Sequence, residues 1–349
     1  MNDLNQTEEI FDSKRILKNV LRKKIIKDYF EFIIDTAQQQ FKCKFKKLHF
    51  SAPVKLKQQY TRSFQDLLGS KYQIINKENI DEGFAVLYNT IKTIKENEQE
   101  KSALIIDCGG GTTDLAKCTF IKEDDGISYK LKIKTSSTDG DSNFGGDNIT
   151  ERIMQYMKII FSYYYKHNQT IKSIDDFITN NVDIFRKVDE EQGVDSVYKH
   201  LEETYNECEK IIPTNYKEYK NKYEDEYDMV LNNYYFLWEL AEEMKKQFFL
   251  KSSIQRNTFF SENNSKDADL NIIPLNKWTL SYYGNQGLQR VKENDFPKIT
   301  FTIKEVNQLI KGDIYNVVRK LLNPLYDKKQ LQDYKIIKLS GQSDRKSVV

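Results

Sequence analysis

The residues best placed to do chemistry lie in one segment, Ile105–Asp114 (IIDCGGGTTD). Asp107 ends an apolar run typical of a buried strand, where a carboxylate can hold a hydrated metal ion or a water molecule. The three glycines that follow let backbone N–H groups approach an anion, because no Cβ obstructs them. A glycine-rich hairpin with a solvated aspartate is the ordinary alternative. The candidate residues of this segment are Asp107, Gly109, Gly110, Gly111, Thr112, Thr113 and Asp114.

A second glycine turn lies in Thr138–Asp147 (TDGDSNFGGD). Gly145 and Gly146 precede a helical pattern, and a helix N-terminus presents unpaired N–H groups and a positive dipole end that suit a phosphate. Asn148 and Glu151 predict a capping-box-like start to that helix. Taken alone, the motif is more often an ordinary loop-to-helix turn.

Together the two motifs resemble the nucleotide-binding domain of the heat shock protein 70 family, within the actin and sugar-kinase superfamily. In that family Asp-x-Gly-Gly-Gly-Thr-x-Asp forms the second phosphate-binding hairpin, and Gly-Gly-acid opens a helix of the second lobe. His49–Val54 resembles the family's Thr-Val-Pro strand, and Glu82-Gly-Phe-Ala resembles its Glu-Pro-Thr-Ala connection. Glu78 is an alternative to Glu82. The resemblance spans about residues 15 to 343.

Two downstream segments extend the resemblance. Glu242 and Lys245 match the helix whose Glu and Lys hold the ribose and adenine, although an ordinary i, i+3 surface ion pair explains them at least as well. Leu339–Ser343 resembles the family's adenosine loop Val-Gly-Gly-Ser, with Gln342 in place of one glycine.

The resemblance implies a fold, a cofactor and partners. The fold is an actin-like ATPase fold of two ribonuclease H-like lobes, with the first lobe incomplete, and the cofactors are ATP or ADP with Mg²⁺. The resemblance implies catalytic roles for Asp107, Thr112, Asp114 and Glu82, with Asp107 and Asp114 holding the metal through water. It implies nucleotide contacts by Gly109, Gly110, Gly111, Thr113, Gly145, Gly146, Asp147, Glu242, Lys245, Gly341, Gln342 and Ser343. Hydrolysis would couple nucleotide state to protein folding, with unfolded client proteins and co-chaperones as partners.

Two other functions fit the same residues. One is a non-chaperone actin-like or regulatory ATPase, and the other is a degenerate partner-binding module without turnover. The family's first phosphate loop and catalytic lysine have no counterpart before Lys14. We therefore expect weak ATP affinity and negligible hydrolysis from this chain alone. Residues 344–349 coincide with a translated short-read sequencing adapter, so Arg345 is given no role.

Interleaved helical and strand patterns position these residues and predict an α/β protein. By the resemblance, residues 1–95 belong to lobe I and 96–343 to lobe II, with a core at 101–160 and 300–343 and a helical insert at 161–300. Periodicity predicts helices at 13–41, 57–68, 82–94 and 301–322, and strands at 103–106, 115–120, 129–135 and 334–339. The expected inward face of the first helix is Leu17, Val20, Leu21, Ile25, Tyr29, Phe32 and Ile33.

Composition excludes several classes of protein. The chain has 349 residues with 54 basic and 52 acidic side chains, so a nucleic-acid binder that relies on bulk charge is disfavoured. The four cysteines form no CxxC pair and the three histidines offer no zinc spacing. No apolar run is long enough to span a membrane, and the polar start is no secretory signal. These features predict a cytoplasmic protein with reduced cysteines.

Overall fold

A computed structural model describes most of the chain. The described residues are 4–11, 17–50, 57–75, 82–91, 97–124, 129–141, 143–167, 174–178, 183–220, 224–250, 254–260, 271–274, 279–292 and 299–341. The protein is mixed α/β, as predicted, and it contains a mixed sheet. Within these ranges, no helix combines the length and the apolar character needed to cross a bilayer.

The elements are numbered in chain order. The helices are α1 (Arg22–Phe41), α2 (Lys57–Leu68), α3 (Glu82–Ile91), α4 (Gly146–His167), α5 (Ile184–Glu191), α6 (Asp195–Glu207), α7 (Tyr216–Tyr219), α8 (Glu224–Leu250) and α9 (Ile303–Asp327). The strands are β1 (Thr7–Phe11), β2 (Leu17–Leu21), β3 (Lys47–Leu48), β4 (Gln73–Ile74), β5 (Asn97–Cys108), β6 (Thr113–Asp124), β7 (Tyr129–Asp141), β8 (Arg256–Phe260), β9 (Asn271–Pro274), β10 (Ser281–Gly284), β11 (Gly287–Arg290), β12 (Ile299–Thr302) and β13 (Ile336–Ser340).

The chain divides into two compact units. Unit 1 contains 1–107, 114–140 and 333–338, and unit 2 contains 108–113, 141–332 and 339–349. Unit 1 groups the strands of the largest sheet with the elements before residue 95, whereas the resemblance assigns those strands to lobe II. The lobe boundary stays a prediction.

The largest sheet has the strand order β13-β5-β6-β7. Its centre is apolar because Ala103 and Ile105 of β5 and Phe120 of β6 pack with Leu87 and Ile91 of α3. The strand predictions at 103–106, 115–120 and 129–135 are confirmed. On β7 the lysines are exposed and the alternating apolar residues are half-buried, as the period-two pattern predicts.

Helix α1 packs by a face other than the predicted one. The predicted residues Tyr29 and Phe32 are 60% and 69% exposed, whereas Ile34 is buried against Phe64 of α2. The predicted helix also begins too early, because Leu17–Leu21 pairs as β2 with β1. Both differences arise from contacts distant in the sequence. Pairing with β1 makes Leu17–Leu21 a strand, and packing against the aromatic cluster around Phe64 buries one face of α1 where the local pattern allows more than one. Helix α2 is confirmed.

Unit 2 is built around α4, which packs against α6, α8 and α9. Its apolar residues, with those of α8 and α9, form the largest core cluster. Thr302 caps α9 in a complete capping box with Glu305, so this helix begins two residues later than predicted. Among the described residues of the predicted helical insert, the last helix ends at Leu250, and the strands β8–β11 follow it. That part of the insert prediction is corrected.

Candidate functional site

The glycine segment forms a tight turn between β5 and β6. The Gly109 N–H donates to Thr112 O at 2.9 Å. Adjacent strands joined by so few residues must be antiparallel, since a parallel pair needs a long crossover. Among the described residues, glycine adopts positive φ only at Gly287 and Gly341. The turn backbone therefore does not itself require glycine at 109–111.

The turn packs directly on the start of α4. The Gly146 N–H donates to Gly109 O at 2.9 Å, and the Asp147 N–H donates to Gly110 O at 2.7 Å. A Cβ atom at Gly145 would lie 2.4 Å from Gly110 O, which no side chain can occupy. Gly145 is thus glycine because two backbone segments approach closely. The two glycine motifs, which lie apart in the sequence, form one structure.

The donors at the start of α4 are already used, so the expectation of unpaired N–H groups there is wrong for three residues. Gly146 and Asp147 donate to the turn carbonyls, and the Gly145 N–H donates to Asn148 Oδ1 at 2.8 Å. Helix α4 begins at Gly146, so Gly145 is the N-cap residue and Asn148 is the third helical residue (N3). The Asn148 side chain accepts a hydrogen bond from the N-cap N–H, as the N3 residue of a capping box does. Glu151, the predicted partner in the capping box, is exposed instead.

Two N–H groups of the turn can still accept an anion. In the described part of the chain, the Gly110 and Gly111 N–H groups have no acceptor. Gly111 is exposed, and nothing lies within 4 Å of the position its Cβ would take. The Asp147 carboxylate lies 3.6 Å from the corresponding position at Gly110. This charge repels a bare anion, so the turn better fits a phosphate that carries a divalent cation.

Two predicted metal-holding carboxylates flank the turn. Thr113 Oγ1 lies 3.4 Å from Cys108 Sγ across the hairpin, and the same register places Asp107 opposite Asp114. Two carboxylates opposite one another on neighbouring strands can share one divalent cation. Mg²⁺ commonly binds one or two carboxylates together with phosphate oxygens and water, so the pair fits this ion. Among the described residues, no group of three or more His, Cys, Asp or Glu is arranged to hold a metal.

Glu242 and Lys245 of α8 converge on the first turn of α4. Glu242 Oε2 accepts from Thr150 Oγ1 at 2.6 Å and from Lys245 Nζ at 2.6 Å. Lys245 Nζ also donates to Gly146 O at 3.0 Å. The predicted pair is therefore more than an exposed i, i+3 contact, since it joins α8 to the helix start that carries the glycine turn.

The charge state of this cluster follows from its surroundings. Burial alone would raise the pKa of Glu242, but hydrogen bonds from Lys245 and Thr150 outweigh it and hold that pKa below its ordinary value. Glu242 is thus a carboxylate fixed by two donors. Its remaining oxygen, Oε1, lies 3.6 Å from Lys246 Nζ.

Thr113 of the hairpin, Glu82 and Gly341 are the other predicted site residues in the described part of the chain. The Thr113 hydroxyl points inward and donates to Phe144 O at 3.0 Å. Glu82 begins α3 in unit 1, and its side chain lies outside the described residues. Gly341 follows β13 with φ +102°, a conformation that favours glycine. Gln342 and Ser343 lie outside the described residues.

A buried polar residue of the site, Thr150, and a second cluster around Lys158 carry no recognised motif in the sequence. Thr150 is fully buried on a face of α4 that otherwise carries apolar residues, and such a polar residue inside an apolar stripe is the signal that could identify it. Further along α4, the fully buried Lys158 pairs with Glu209 and donates to Thr214 Oγ1 at 3.0 Å. Its neighbours are apolar or aromatic, so no motif marks it.

In the second cluster, burial determines the direction of the pKa shift at Lys158 but not at Glu209. Burial lowers the pKa of Lys158 by more than Glu209 raises it. Burial would raise the pKa of Glu209, but Lys158 and Thr214 outweigh this and lower it. The Lys158 ammonium also lies 4.1 Å from the centre of the Tyr205 ring. These contacts provide the buried Lys158 ammonium with a countercharge and hydrogen-bond acceptors.

No protein-family model matches the chain. The functional interpretation therefore depends on the geometry at the start of α4. There, the glycine turn, the Gly145 close approach and the Glu242–Lys245 pair all contact one helical turn.

Proposed function

We propose that this chain is a nucleotide-binding domain similar to that of the heat shock protein 70 family, in which ATP is bound with Mg²⁺ and its hydrolysis is coupled to protein folding. For this chain by itself we propose weak ATP binding and negligible hydrolysis. The observation that carries the proposal is the convergence on the first turn of α4. Residues 92 positions apart meet there, and the resemblance assigns nucleotide contacts on both sides of the meeting point. An ordinary hairpin or surface ion pair does not need that convergence.

The residues present have distinct roles in the proposal. The Gly110 and Gly111 N–H groups bind phosphate oxygens, and Asp107 and Asp114 hold Mg²⁺ through water. When bound, Mg²⁺-ATP supplies the phosphoanhydride bond and neutralises phosphate charge. Thr112 orients the attacking water. Such catalysis depends on positioning and charge stabilisation rather than on a covalent enzyme intermediate.

Nucleotide titration tests the proposed binding. We expect millimolar Mg²⁺-ATP to shift the amide resonances of Gly109–Gly111 and Gly145–Asp147 in a heteronuclear NMR spectrum. Gly111→Ala should remove these shifts without changing the melting temperature, because its Cβ enters open space in the protein but obstructs the anion. Gly193→Ala is the matched control, since its Cβ would meet only Glu191 O at 3.9 Å. Shifts that persist in Gly111→Ala would show that phosphate binds elsewhere.

The alternative of a partner-binding module without turnover has its own support. Three N–H donors at the α4 start are already paired, and Glu242 and Lys245 bind each other. Because negligible hydrolysis is expected of this chain by itself, nucleotide binding separates the two functions. Mg²⁺-dependent amide shifts at the glycine turn that weaken in Asp107→Asn support the nucleotide-binding domain. No nucleotide shift at millimolar Mg²⁺-ATP favours the partner-binding module.

A further inference from the structure

An open groove lies on unit 2, between α5 and the outward side of α9. Its volume is about 740 Å³. Ile184 and Phe185 of α5, Phe249 of α8 and Ile314 and Val318 of α9 contribute its apolar lining. The opposite stripe of α9, which includes Val306, Leu309, Val317 and Leu321, is buried in the core. Ile314 and Val318 therefore face away from the core, and they are 39% and 43% exposed.

The edge of the groove carries positive charge. Lys304 and Lys311 line it, two helical turns apart on α9. In the part of the chain that the structure describes, neither lysine has a carboxylate within ion-pair distance, and Lys311 Nζ lies 4.3 Å from the centre of the Phe185 ring. Asp183 is the acidic residue of the lining, and its carboxylate accepts from the Phe185 N–H at the positive end of α5. Its charge is thus directed to the helix and not to the lysines.

The walls of the groove determine what can bind. From Lys304 to Val318 the groove follows α9 for roughly 21 Å. The described residues that line it belong to α5, α8 and α9 or cap α5, and helix backbone groups are bonded internally, so these residues offer no sheet edge to an extended peptide. A helix brings its own backbone hydrogen bonds and presents an apolar stripe at every third and fourth residue, which matches a long apolar groove.

We propose that this groove binds an amphipathic helix of a partner protein, with acidic residues beside its apolar stripe. Acidic side chains spaced seven residues apart would face Lys304 and Lys311, while the stripe covers Ile314 and Val318. The proposal is independent of the nucleotide site, since none of these residues contacts the first turn of α4 in the described structure.

The test uses two synthetic helical peptides that share one leucine stripe and differ only in flanking glutamates or lysines. Fluorescence anisotropy without nucleotide measures both affinities. We expect the wild-type protein to bind the glutamate peptide about tenfold more tightly, and Lys304→Glu with Lys311→Glu to reverse the preference. Val318→Asp should weaken both peptides. The charge-matched control is Lys130→Glu with Lys134→Glu, on the exposed face of β7.

Circular dichroism checks that each variant keeps the wild-type helix content and melting temperature. An unchanged charge preference in the Lys304→Glu, Lys311→Glu variant would overturn the proposal. So would equal wild-type affinities for the two peptides, or no binding of either at millimolar concentration.

Discussion

Helix α4 carries two clusters of the same three residue types, and it is their lysines that differ in burial, since the glutamate side chains of both are 28% exposed. At its first turn, Thr150 of α4 meets Glu242 and Lys245 of α8. Further along, Lys158 of α4 meets Glu209 and Thr214. The Lys245 side chain is 18% exposed, whereas that of Lys158 is fully buried.

The two clusters share their residue types, so the burial of the lysine is what distinguishes them. Lys158 has lost its water and obtains its hydrogen bonds and countercharge from Glu209, Thr214 and the Tyr205 ring. Lys245 keeps contact with solvent while it bridges Glu242 and Gly146 O. Separating Lys245 from its partners should therefore cost less free energy than separating Lys158 from its own.

The largest effect should come from removing the countercharge of the buried lysine. Glu209→Gln leaves Lys158 charged and buried without its carboxylate, and we expect it to lower the free energy of unfolding by about 3–5 kcal/mol. Urea denaturation measures the change. Glu207→Gln, at an exposed position just before it, is the control. A loss below about 1 kcal/mol would mean that the two clusters are energetically alike.

A double variant separates charge from packing. Lys158→Met with Glu209→Gln removes both charges and keeps most of the volume. We expect it to be more stable than Glu209→Gln alone, because an unpaired buried charge costs more than an absent pair. If the double variant and Glu209→Gln are equally stable, the destabilisation comes from the lost contacts of Glu209 and not from the unpaired charge of Lys158.

The next largest effect should come from disturbing the contact between the start of α4 and the glycine turn. Gly145→Ala forces Cβ against the Gly110 backbone, and we expect a loss of about 1–3 kcal/mol because the hairpin turn and the helix must separate. Gly111→Ala in the same region should stay within about 0.5 kcal/mol of wild type, as its Cβ meets nothing. Equal losses in the two variants would contradict the close packing of the motifs.

A smaller effect is expected from the partly exposed cluster. Glu242→Gln should cost about 1 kcal/mol or less in the same urea experiment, because solvent replaces part of what Lys245 loses. Glu239→Gln, one turn earlier on α8, serves as its control. A cost comparable with that of Glu209→Gln would show that exposure does not separate the clusters.

The smallest effect is a difference in acid sensitivity. Both Glu209 and Glu242 have a pKa below their ordinary value of 4.5. A carboxyl with a depressed folded-state pKa stabilises the fold above its unfolded pKa, and the contribution is lost as the pH falls through the folded pKa. Stability should therefore fall below pH 4.5, and each Gln variant should show a shallower fall. Thermal melts across this range measure it, and parallel curves for wild type and both variants would contradict the assigned pKa directions.

The sequence predicts local elements better than it predicts their partners. The alternation along β7 and the helical period of α2 are enough to predict these two elements, because each element buries a single face. On α1, two apolar stripes compete, and only the aromatic cluster around Phe64 shows that Ile34 faces inward. The local pattern carries no information on that distant cluster.

The same limit applies to the candidate site. The glycine motifs are visible in the sequence, but their contact is not, and neither is the use of the α4 donors by carbonyls of the turn. Thr150 becomes recognisable only when α8 is packed against α4. Lys158 lies within an apolar stretch, and the sequence gives no sign that Glu209 and Thr214 reach it.

The two hydrogen bonds from the start of α4 to the glycine turn also affect the order of folding. Gly109 O and Gly110 O accept hydrogen bonds from the start of a helix that begins much later in the chain. The first N–H groups of α4 therefore gain their acceptors only when the intervening chain closes into a loop. The Gly146 and Asp147 amide protons should therefore exchange with solvent when the turn opens, even while the rest of α4 stays protected. In a pulse-labelling experiment, these two amides would report when the turn docks, separately from the formation of the helix itself.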